Sequence, residues 1–220
     1  MISDISVVSH ELPLRDDKPK KEDIHTFAEL QFVPKALFPQ MFTICSTVMT
    51  TAATKSSTSH FFSILGKGGN NYLNAFLAGG SDSVGLHSGL FNFKAKGKIS
   101  RVFPEQWLSS CLAVNTQSGL LQWVLEARLV ASDSLEAIRQ NAPEHPDDLS
   151  GKLLLGGRKR RPDSWSVHSN KVTLLNIFSS AMSIEDMQEM TVEGEEKCSK
   201  QGDYLRWEDI YAMDPQRTSN

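Results

Sequence analysis

Short stretches of apolar and β-branched residues recur along the chain, and most of them end at glycine, proline or asparagine. Residues 41–53 (MFTICSTVMTTAA) are rich in β-branched residues, and residues 70–80 (NNYLNAFLAGG) alternate apolar and polar positions before two glycines. Alternation with a period of two places successive side chains on opposite faces of a strand. Many short strands separated by turn residues are typical of an antiparallel sandwich or jelly roll. The pattern therefore predicts an all-β fold.

One segment departs from this pattern and predicts a short α-helix near residues 183–191 (SIEDMQEMT). Ser183 is a suitable N-cap, and Asp186 three residues later gives an arrangement like a capping box. Met187 and Met190 recur at helical spacing, which predicts one packed face. We interpret these methionines as core filling.

The distribution of polar residues predicts one domain with two short terminal segments. Residues 1–25 are polar and charged, and we expect a flexible tail or a poorly ordered first strand there. Residues 26–213 contain the other strand-like stretches and are expected to form the β-sandwich, and residues 214–220 form a C-terminal tail. With 220 residues, of which 40% are hydrophobic, the chain can bury a sizeable core.

Charge and hydropathy exclude several classes of partner. The formal net charge is −3, which gives no overall attraction for nucleic acid. No run approaches the roughly 18 apolar residues of a membrane span, so direct membrane insertion is not expected. No signal peptide is visible at the start of this chain, so either the protein is intracellular or its leader lies outside this chain.

Motifs for catalysis are not found in the sequence, and we expect a protein that is not an enzyme. Six histidines are scattered without zinc-binding spacing, and no nucleophile elbow, phosphate loop or dinucleotide fingerprint occurs. Paired carboxylates for glycosidase chemistry must share one face. The acidic pairs are adjacent, and adjacent strand residues point to opposite faces. These pairs are Asp147/Asp148, Glu185/Asp186 and Glu195/Glu196.

The densest cationic run directly follows a stretch typical of a core strand, in LLLGGRKRRPDSW (153–165). Four interpretations are open: an anion-binding site, a proteolytic processing site, a nuclear-import signal or a solvated loop tip. Pro162 directly after the run argues against cleavage there. Arginine forks suit sulfate, phosphate and carboxylate groups, and His168 would extend such a patch. The candidate anion-binding residues are Arg158, Lys159, Arg160, Arg161 and His168.

Five segments together resemble the pentraxin branch of the concanavalin-like lectin and laminin-G superfamily. They are FTIC (42–45), WLSSCLAVNTQSGLLQWVLEARLV (107–130), GKLLLGG (151–157), VTLLNIFSSAMSIEDMQEM (172–190) and DYLRWEDI (203–210). The resemblance implies an antiparallel two-sheet jelly-roll sandwich with a short helix near 183–191. It also implies a disulfide between Cys45 and Cys111, whereas Cys198 is left free or pairs outside this set.

Pentraxins bind ligands through two calcium ions, and the resemblance shows where their ligand positions fall in this chain. Asn70 and Asn71 stand at the first ligand pair, Ser166 near a later glutamine, and Asp163 is the nearest carboxylate. At the second cluster the family's acidic and amide residues are replaced by Arg158, Lys159 and Arg160. Calcium takes about 6–8 oxygen ligands. Each cation within about 4 Å would oppose calcium by roughly 4 kcal/mol at an effective dielectric constant of about 20. We therefore expect no calcium or other cofactor, with Asn70, Asn71 and Asp163 as the weak calcium candidates.

The resemblance implies an extracellular recognition module, either secreted or part of a receptor ectodomain. We expect it to bind a glycan, a phosphorylated group or another anionic ligand without the calcium pair. A laminin-G-type ectodomain that binds a protein partner is the alternative, and a glycosidase of the same fold is a further one. Because pentraxins often form cyclic pentamers, a homo-oligomer is also implied.

Overall fold

The computed structural model describes fourteen strands and a short helix. The described residues are 5–12, 25–32, 40–50, 59–66, 71–78, 83–88, 93–98, 107–134, 136, 149–155, 157–161, 164–167, 170–192 and 200–208. The strands are β1 (Ile5–Leu12), β2 (His25–Phe32), β3 (Met41–Thr50), β4 (Ser59–Gly66), β5 (Asn71–Ala78), β6 (Ser83–Ser88), β7 (Phe93–Lys98), β8 (Trp107–Asn115), β9 (Leu120–Leu125), β10 (Arg128–Ser134), β11 (Leu149–Leu155), β12 (Gly157–Arg161), β13 (Ser164–Val167) and β14 (Asn170–Phe178). The helix is α1 (Ile184–Met190).

The strands form two large antiparallel sheets and a separate hairpin. The seven-stranded sheet has the order β1-β2-β11-β4-β5-β6-β7, and the five-stranded sheet has the order β10-β9-β8-β3-β14. β12 and β13 form the hairpin. The fold is therefore an all-β sandwich of the jelly-roll type, and the prediction of two antiparallel sheets is confirmed.

The hydrophobic core lies between the two large sheets. Ile44 and Leu112 of the five-stranded sheet belong to the same buried cluster as Ile64 of the seven-stranded sheet. Trp123 on β9 meets Phe61 on β4 edge to face, with ring centroids 6.4 Å apart. The indole nitrogen of Trp123 is fully buried and donates a hydrogen bond to the Ser110 hydroxyl at 2.8 Å. The core therefore joins both sheets, as alternation along each strand predicts.

The helix α1 covers the outer face of the five-stranded sheet. Ser183 is its N-cap, and the Ser183 hydroxyl accepts a hydrogen bond from the Asp186 amide at 3.1 Å. Met187 and Met190 are buried in a cluster that also contains Cys45 and Cys111. The predicted helix, its cap and its packed face are confirmed.

After the helix, residues 200–208 return to β14 and extend the sandwich. The Ile177 amide donates to the Leu205 carbonyl oxygen at 2.8 Å, and the Leu205 amide donates back to the Ile177 carbonyl oxygen at 3.1 Å. The buried Asn176 side chain accepts a hydrogen bond from the Gly202 amide at 3.1 Å. This segment is called the closing segment below.

The first 25 residues contain a strand rather than only a flexible tail. β1 pairs with β2 over the whole of its length, from Ile5 opposite Phe32 to Leu12 opposite His25. Of the two alternatives that the sequence left open for residues 1–25, the strand is the one that forms over β1. The backbone of β1 pairs with β2 and so satisfies its hydrogen-bonding groups. The polar composition of residues 1–25 alone did not indicate this pairing. The tail predicted at 214–220 lies outside the described residues.

Candidate functional site

The basic run is a β-strand and not a loop, which corrects the loop interpretation. Arg158, Lys159, Arg160 and Arg161 belong to β12, which pairs antiparallel with β13. Two residues typical of turns, proline and aspartate at 162–163, separate the strands in the sequence. The strand that pairs with the cations contains tryptophan and valine, which favour strands.

Pairing distributes the cations over both faces of the hairpin. Arg158 stands opposite Ser166, and Lys159 stands opposite Trp165. Because neighbouring strand residues point to opposite faces, these two cations lie on opposite faces of the hairpin. The register shifts between Lys159 and Arg161, so Arg160 is the additional residue of a bulge. A ligand on one face therefore meets only part of the basic run.

The hairpin lies across the middle of the seven-stranded sheet. Cα atoms of β12 come within 8 Å of those of β4 and β5, and Cα atoms of β13 come within 8 Å of those of β2. A strand that simply continued β11 in the plane of the sheet would lie about 10 Å from β5, which is two strand spacings away. The hairpin therefore leaves the line of β11 and spans strands on both sides of it.

The central strands below the hairpin bury polar groups on the face away from the core. Ser63, Asn74 and Leu154 are in register and fully buried, although they alternate with core residues. The Asn74 side-chain amide donates hydrogen bonds to the Ser63 hydroxyl at 2.5 Å and to the Phe62 carbonyl oxygen at 3.3 Å. This pair was not predicted from the sequence. The indication in the sequence was Asn74, a polar residue between the apolar residues Leu73 and Ala75 of the alternating stretch 70–80.

Only some of the residues at the calcium positions of the resemblance lie within the described part of the chain. Ser166 stands directly opposite Arg158, so one of these positions pairs with a cation. Asn71 begins β5 and pairs with Leu65, while Asn70, Asp163 and His168 lie outside the described residues. Among the described residues, no group of three or more His, Cys, Asp or Glu side chains could hold a metal ion. The described strands of the hairpin offer four cations and no carboxylate.

The predicted disulfide between Cys45 and Cys111 is present, which confirms the pairing. The two cysteines stand directly opposite each other on β3 and β8, with Cα atoms 4.1 Å apart. Both lie beneath α1 and are at most 1% exposed. The bond therefore fixes the sheet that carries the helix, away from the hairpin. Cys198 lies outside the described residues.

The acidic pair Glu185/Asp186 lies in the first turn of α1, where Asp186 forms an ion pair with Lys200. The pKa of Asp186 is lowered by hydrogen bonds from Lys200 and Ser183 and by the charge of Lys200. The distance from Lys200 Nζ to Asp186 Oδ1 is 2.6 Å. Asp186 therefore stabilises the first turn of the helix, as acids there commonly do. The pairs at 147–148 and 195–196 lie outside the described residues.

Comparison with known proteins identifies the fold through solved structures and not through sequence. No protein-family model and no curated protein matches the sequence. The native heptameric SAP-like pentraxin from Limulus polyphemus matches with a TM-score of 0.58 and 14% identity, over 77% of this chain and 76% of that chain. This chain has a pentraxin-like, concanavalin-type fold. The fold prediction is thereby confirmed.

Two other solved structures are also similar to this chain. The CBM40 of Ruminococcus gnavus IT-sialidase bound to α2,3-sialyllactose matches with a TM-score of 0.53 and 16% identity, over 72% of this chain and 84% of that one. The binding domain of botulinum neurotoxin DC in complex with rat synaptotagmin II matches with a TM-score of 0.56 and 10% identity. This chain spans 45% of that domain, and 84% of this chain is covered. Within the described residues of the pentraxin-like chain, no helix is long and apolar enough to cross a membrane.

Proposed function

We propose that this chain is a non-enzymatic recognition domain for an anionic glycan and that the β12–β13 hairpin makes the first contact. The observation that carries the proposal is the position of the basic run. Four consecutive cations stand on a hairpin beside the central strands of one sheet, in a chain whose net charge is −3. The likeness to a domain bound to a sialylated sugar supports a glycan as the ligand.

Direct contact by cations replaces metal bridging in this proposal. Arginine presents a planar fork that makes paired hydrogen bonds with sulfate, phosphate or carboxylate groups. Calcium at the same place would be repelled by Arg158, Lys159 and Arg160. Binding should therefore persist in a chelator, and adding calcium should neither increase the affinity nor raise the thermal unfolding midpoint.

The proposal includes an extracellular location. A buried disulfide between neighbouring strands is typical of proteins that fold in oxidising compartments. The similar pentraxin is heptameric, and a homo-oligomer of this chain would multiply weak contacts with a repeating glycan. Sedimentation of the purified chain with its disulfide intact measures the oligomeric state.

The test is binding of a sulfated glycan to the purified full chain. Isothermal titration with heparin-derived oligosaccharides is compared between the wild type and the variant R158S/K159S/R160S. Each exposed ionic contact contributes up to about 1 kcal/mol, and a ligand on one face of the hairpin contacts only one or two of these cations, so the variant should weaken binding by about threefold to thirtyfold. An unchanged dissociation constant would refute the hairpin as the contact.

A matched control removes three cations that lie outside the hairpin. The variant R128S/K200S/R206S changes the net charge by the same amount at three exposed positions near the five-stranded sheet. If both variants weaken binding equally, the effect is one of total charge and the hairpin proposal fails. Single changes at Arg158 and at Lys159 then identify the binding face, because these two residues lie on opposite faces of the hairpin.

A protein partner is the second candidate function. The binding domain of botulinum neurotoxin DC, which shares the fold, is in complex with a protein, rat synaptotagmin II. Such an interaction would tolerate R158S/K159S/R160S if its surface lies elsewhere. A chain that binds no anionic glycan but captures one protein partner equally well with and without the hairpin cations would favour this second function.

A further inference from the structure

The outer face of the seven-stranded sheet continues beyond the hairpin onto β6 and β7. Ser63 pairs with Asn74, Asn74 with His87, and His87 with Lys94, so these positions form one row across four strands. Ser63 and Asn74 alternate with core residues on their own strands and therefore belong to the face away from the core. Directly paired residues share a face of the sheet. His87 and Lys94 are thus placed on that outer face.

The edge strand β7 places a row of lysines on the same face. Its sequence is FKAKGK, in which every second residue is lysine. Alternate strand positions share a face and lie about 7 Å apart, so the three lysines extend over about 14 Å. They are Lys94, Lys96 and Lys98. Their partners on β6 are small or polar, in order His87, Gly85 and Ser83.

An aromatic residue stands next to this row. Phe76 on β5 is partly exposed and follows the core residue Ala75, so it belongs to the outer face. It pairs with Gly85, which in turn pairs with Lys96. The position between the aromatic residue and the lysine therefore carries no side chain. β5, β6 and β7 themselves contain no Asp or Glu, and the carboxylate of the neighbouring strand β10, whose Cα atoms come within 8 Å of those of β7, belongs to Asp133.

We propose that this surface binds an extended sulfated glycan chain and that the ligand continues there from the hairpin. The surface is called the lysine face and consists of Phe76, Gly85, His87, Lys94, Lys96 and Lys98. The inference rests on the proposed function and adds the ligand class, a polyanionic chain. The strand β12 lies near β5, and β7 is two strand spacings, about 10 Å, beyond β5.

The length of the lysine row specifies the ligand. A single anionic group can meet one lysine of a row that extends over about 14 Å, whereas a chain with repeated anionic groups can meet all three. Phe76 offers an apolar surface to a sugar ring, which a polyanion without sugars cannot use. Affinity should therefore rise with the length of a sulfated oligosaccharide, and this rise should depend on the lysines.

Edge protection is the competing explanation for the three lysines. β7 is at the edge of its sheet, and lysines on edge strands discourage pairing with other molecules. This explanation predicts aggregation on removal of the lysines and no change in glycan affinity. The two explanations are separated by measuring both properties in one set of variants.

The experiment titrates heparin-derived oligosaccharides, from disaccharide to dodecasaccharide, into the full chain at fixed salt. K94S/K96S/K98S should bind the dodecasaccharide about tenfold more weakly than the wild type and the disaccharide equally well. The charge-retaining variant K94R/K96R/K98R should bind like the wild type. If the serine variant aggregates, K96S alone should still weaken dodecasaccharide binding by about twofold. Unchanged dodecasaccharide affinity in K96S and in the triple variant would overturn the inference.

Two additional arms separate this inference from the proposed function and identify the ligand class. Both proposals hold if R158S/K159S/R160S loses disaccharide binding and the lysine variant loses only the increase in affinity with oligosaccharide length. If the hairpin variant weakens binding and the lysine variant does not, only the lysine face is refuted. Phe76→Leu should weaken binding of the oligosaccharide but not of inorganic polyphosphate. Tighter binding of polyphosphate or single-stranded DNA than of an oligosaccharide of equal charge would refute a glycan.

Discussion

The disulfide allows a quantitative test of how the sandwich is stabilised. Cys45 and Cys111 are separated by 66 positions in the sequence. Closing a loop of that length lowers the entropy of the unfolded chain, which corresponds to a stabilisation of about 4 kcal/mol. Replacing the pair by C45V/C111A keeps much of the buried volume and removes the cross-link. We expect the free energy of unfolding to fall by about 4 kcal/mol.

Urea denaturation of the oxidised wild type and the double variant measures this difference. For a chain of this size, 1 kcal/mol changes the thermal midpoint by about 2–4 °C, so the midpoint should fall by about 8–16 °C. The dependence of the free energy on urea should become steeper, because the unfolded chain without the cross-link exposes more surface. Both sulfurs are buried, so the folded wild type should resist reduction until it unfolds.

Cys198→Ser provides the control because it removes the cysteine that this pairing leaves over. Its unfolding curve should match that of the wild type. A loss below about 1 kcal/mol in C45V/C111A would refute the entropic reasoning. A non-reducing peptide map that joins Cys198 to Cys45 or Cys111 would refute the pairing itself.

Three further changes test the closing segment and the helix. Gly202→Ala should lower the free energy of unfolding by about 3 kcal/mol, because the added Cβ would lie within 3.0 Å of two backbone carbonyl oxygens. An unchanged midpoint in urea denaturation would contradict this. Ser183→Ala should cost about 1 kcal/mol by loss of the N-cap bond to Asp186, and Ser183→Asp should restore most of it. Partial burial raises the pKa of Asp203, but hydrogen bonds from Ser179 and backbone amides lower it to below 3.8 overall. The ionised Asp203 carboxylate therefore stabilises the folded state above its ordinary pKa, and this stabilisation is lost as the pH falls through its pKa in the folded protein. The difference in thermal midpoint between the wild type and Asp203→Asn should therefore become smaller in acid. A difference that does not change with pH would contradict this prediction.

The sequence was sufficient to predict the strand β5 and the helix α1, because their buried residues recur with the period of a strand or a helix. The segment 70–80 alternates because one face of β5 enters the core, and Leu73 and Ala75 are indeed buried there. The helix was predictable because Ser183 and the spaced methionines are all within one short segment. In both cases the deciding contacts involve residues that recur with the period of the element itself.

The strand β12 was not predicted from the basic run because its formation depends on pairing with a second strand, β13. Four cations after glycine have little intrinsic preference for a strand. Their backbone groups are paired by β13, whose Trp165 stands opposite Lys159. A hairpin is specified by both strands together, so the character of one strand alone indicated a loop.

The turn between β9 and β10 shows what sequence patterns cannot supply. Two-residue hairpin turns with positive φ normally contain asparagine or glycine. Here Glu126 and Ala127 have φ of 48° and 55°. The Glu126 carboxylate accepts from the Ser109 amide, the Ala127 amide donates to Thr191 Oγ1 at 3.0 Å, and Gln188 donates to the Ala127 carbonyl oxygen at 3.0 Å. The turn is therefore held by β8 and α1, which are distant in sequence.

These contacts also explain why the two outer faces should serve different purposes. The five-stranded sheet is covered by α1, whose Met187 packs over the disulfide and whose Gln188 holds the β9–β10 turn. A ligand there would have to displace buried apolar surface, which is costly. The seven-stranded sheet instead carries the hairpin and the lysine face. Changes beneath the helix should therefore alter stability first, whereas changes to the cations should alter glycan affinity with little effect on unfolding.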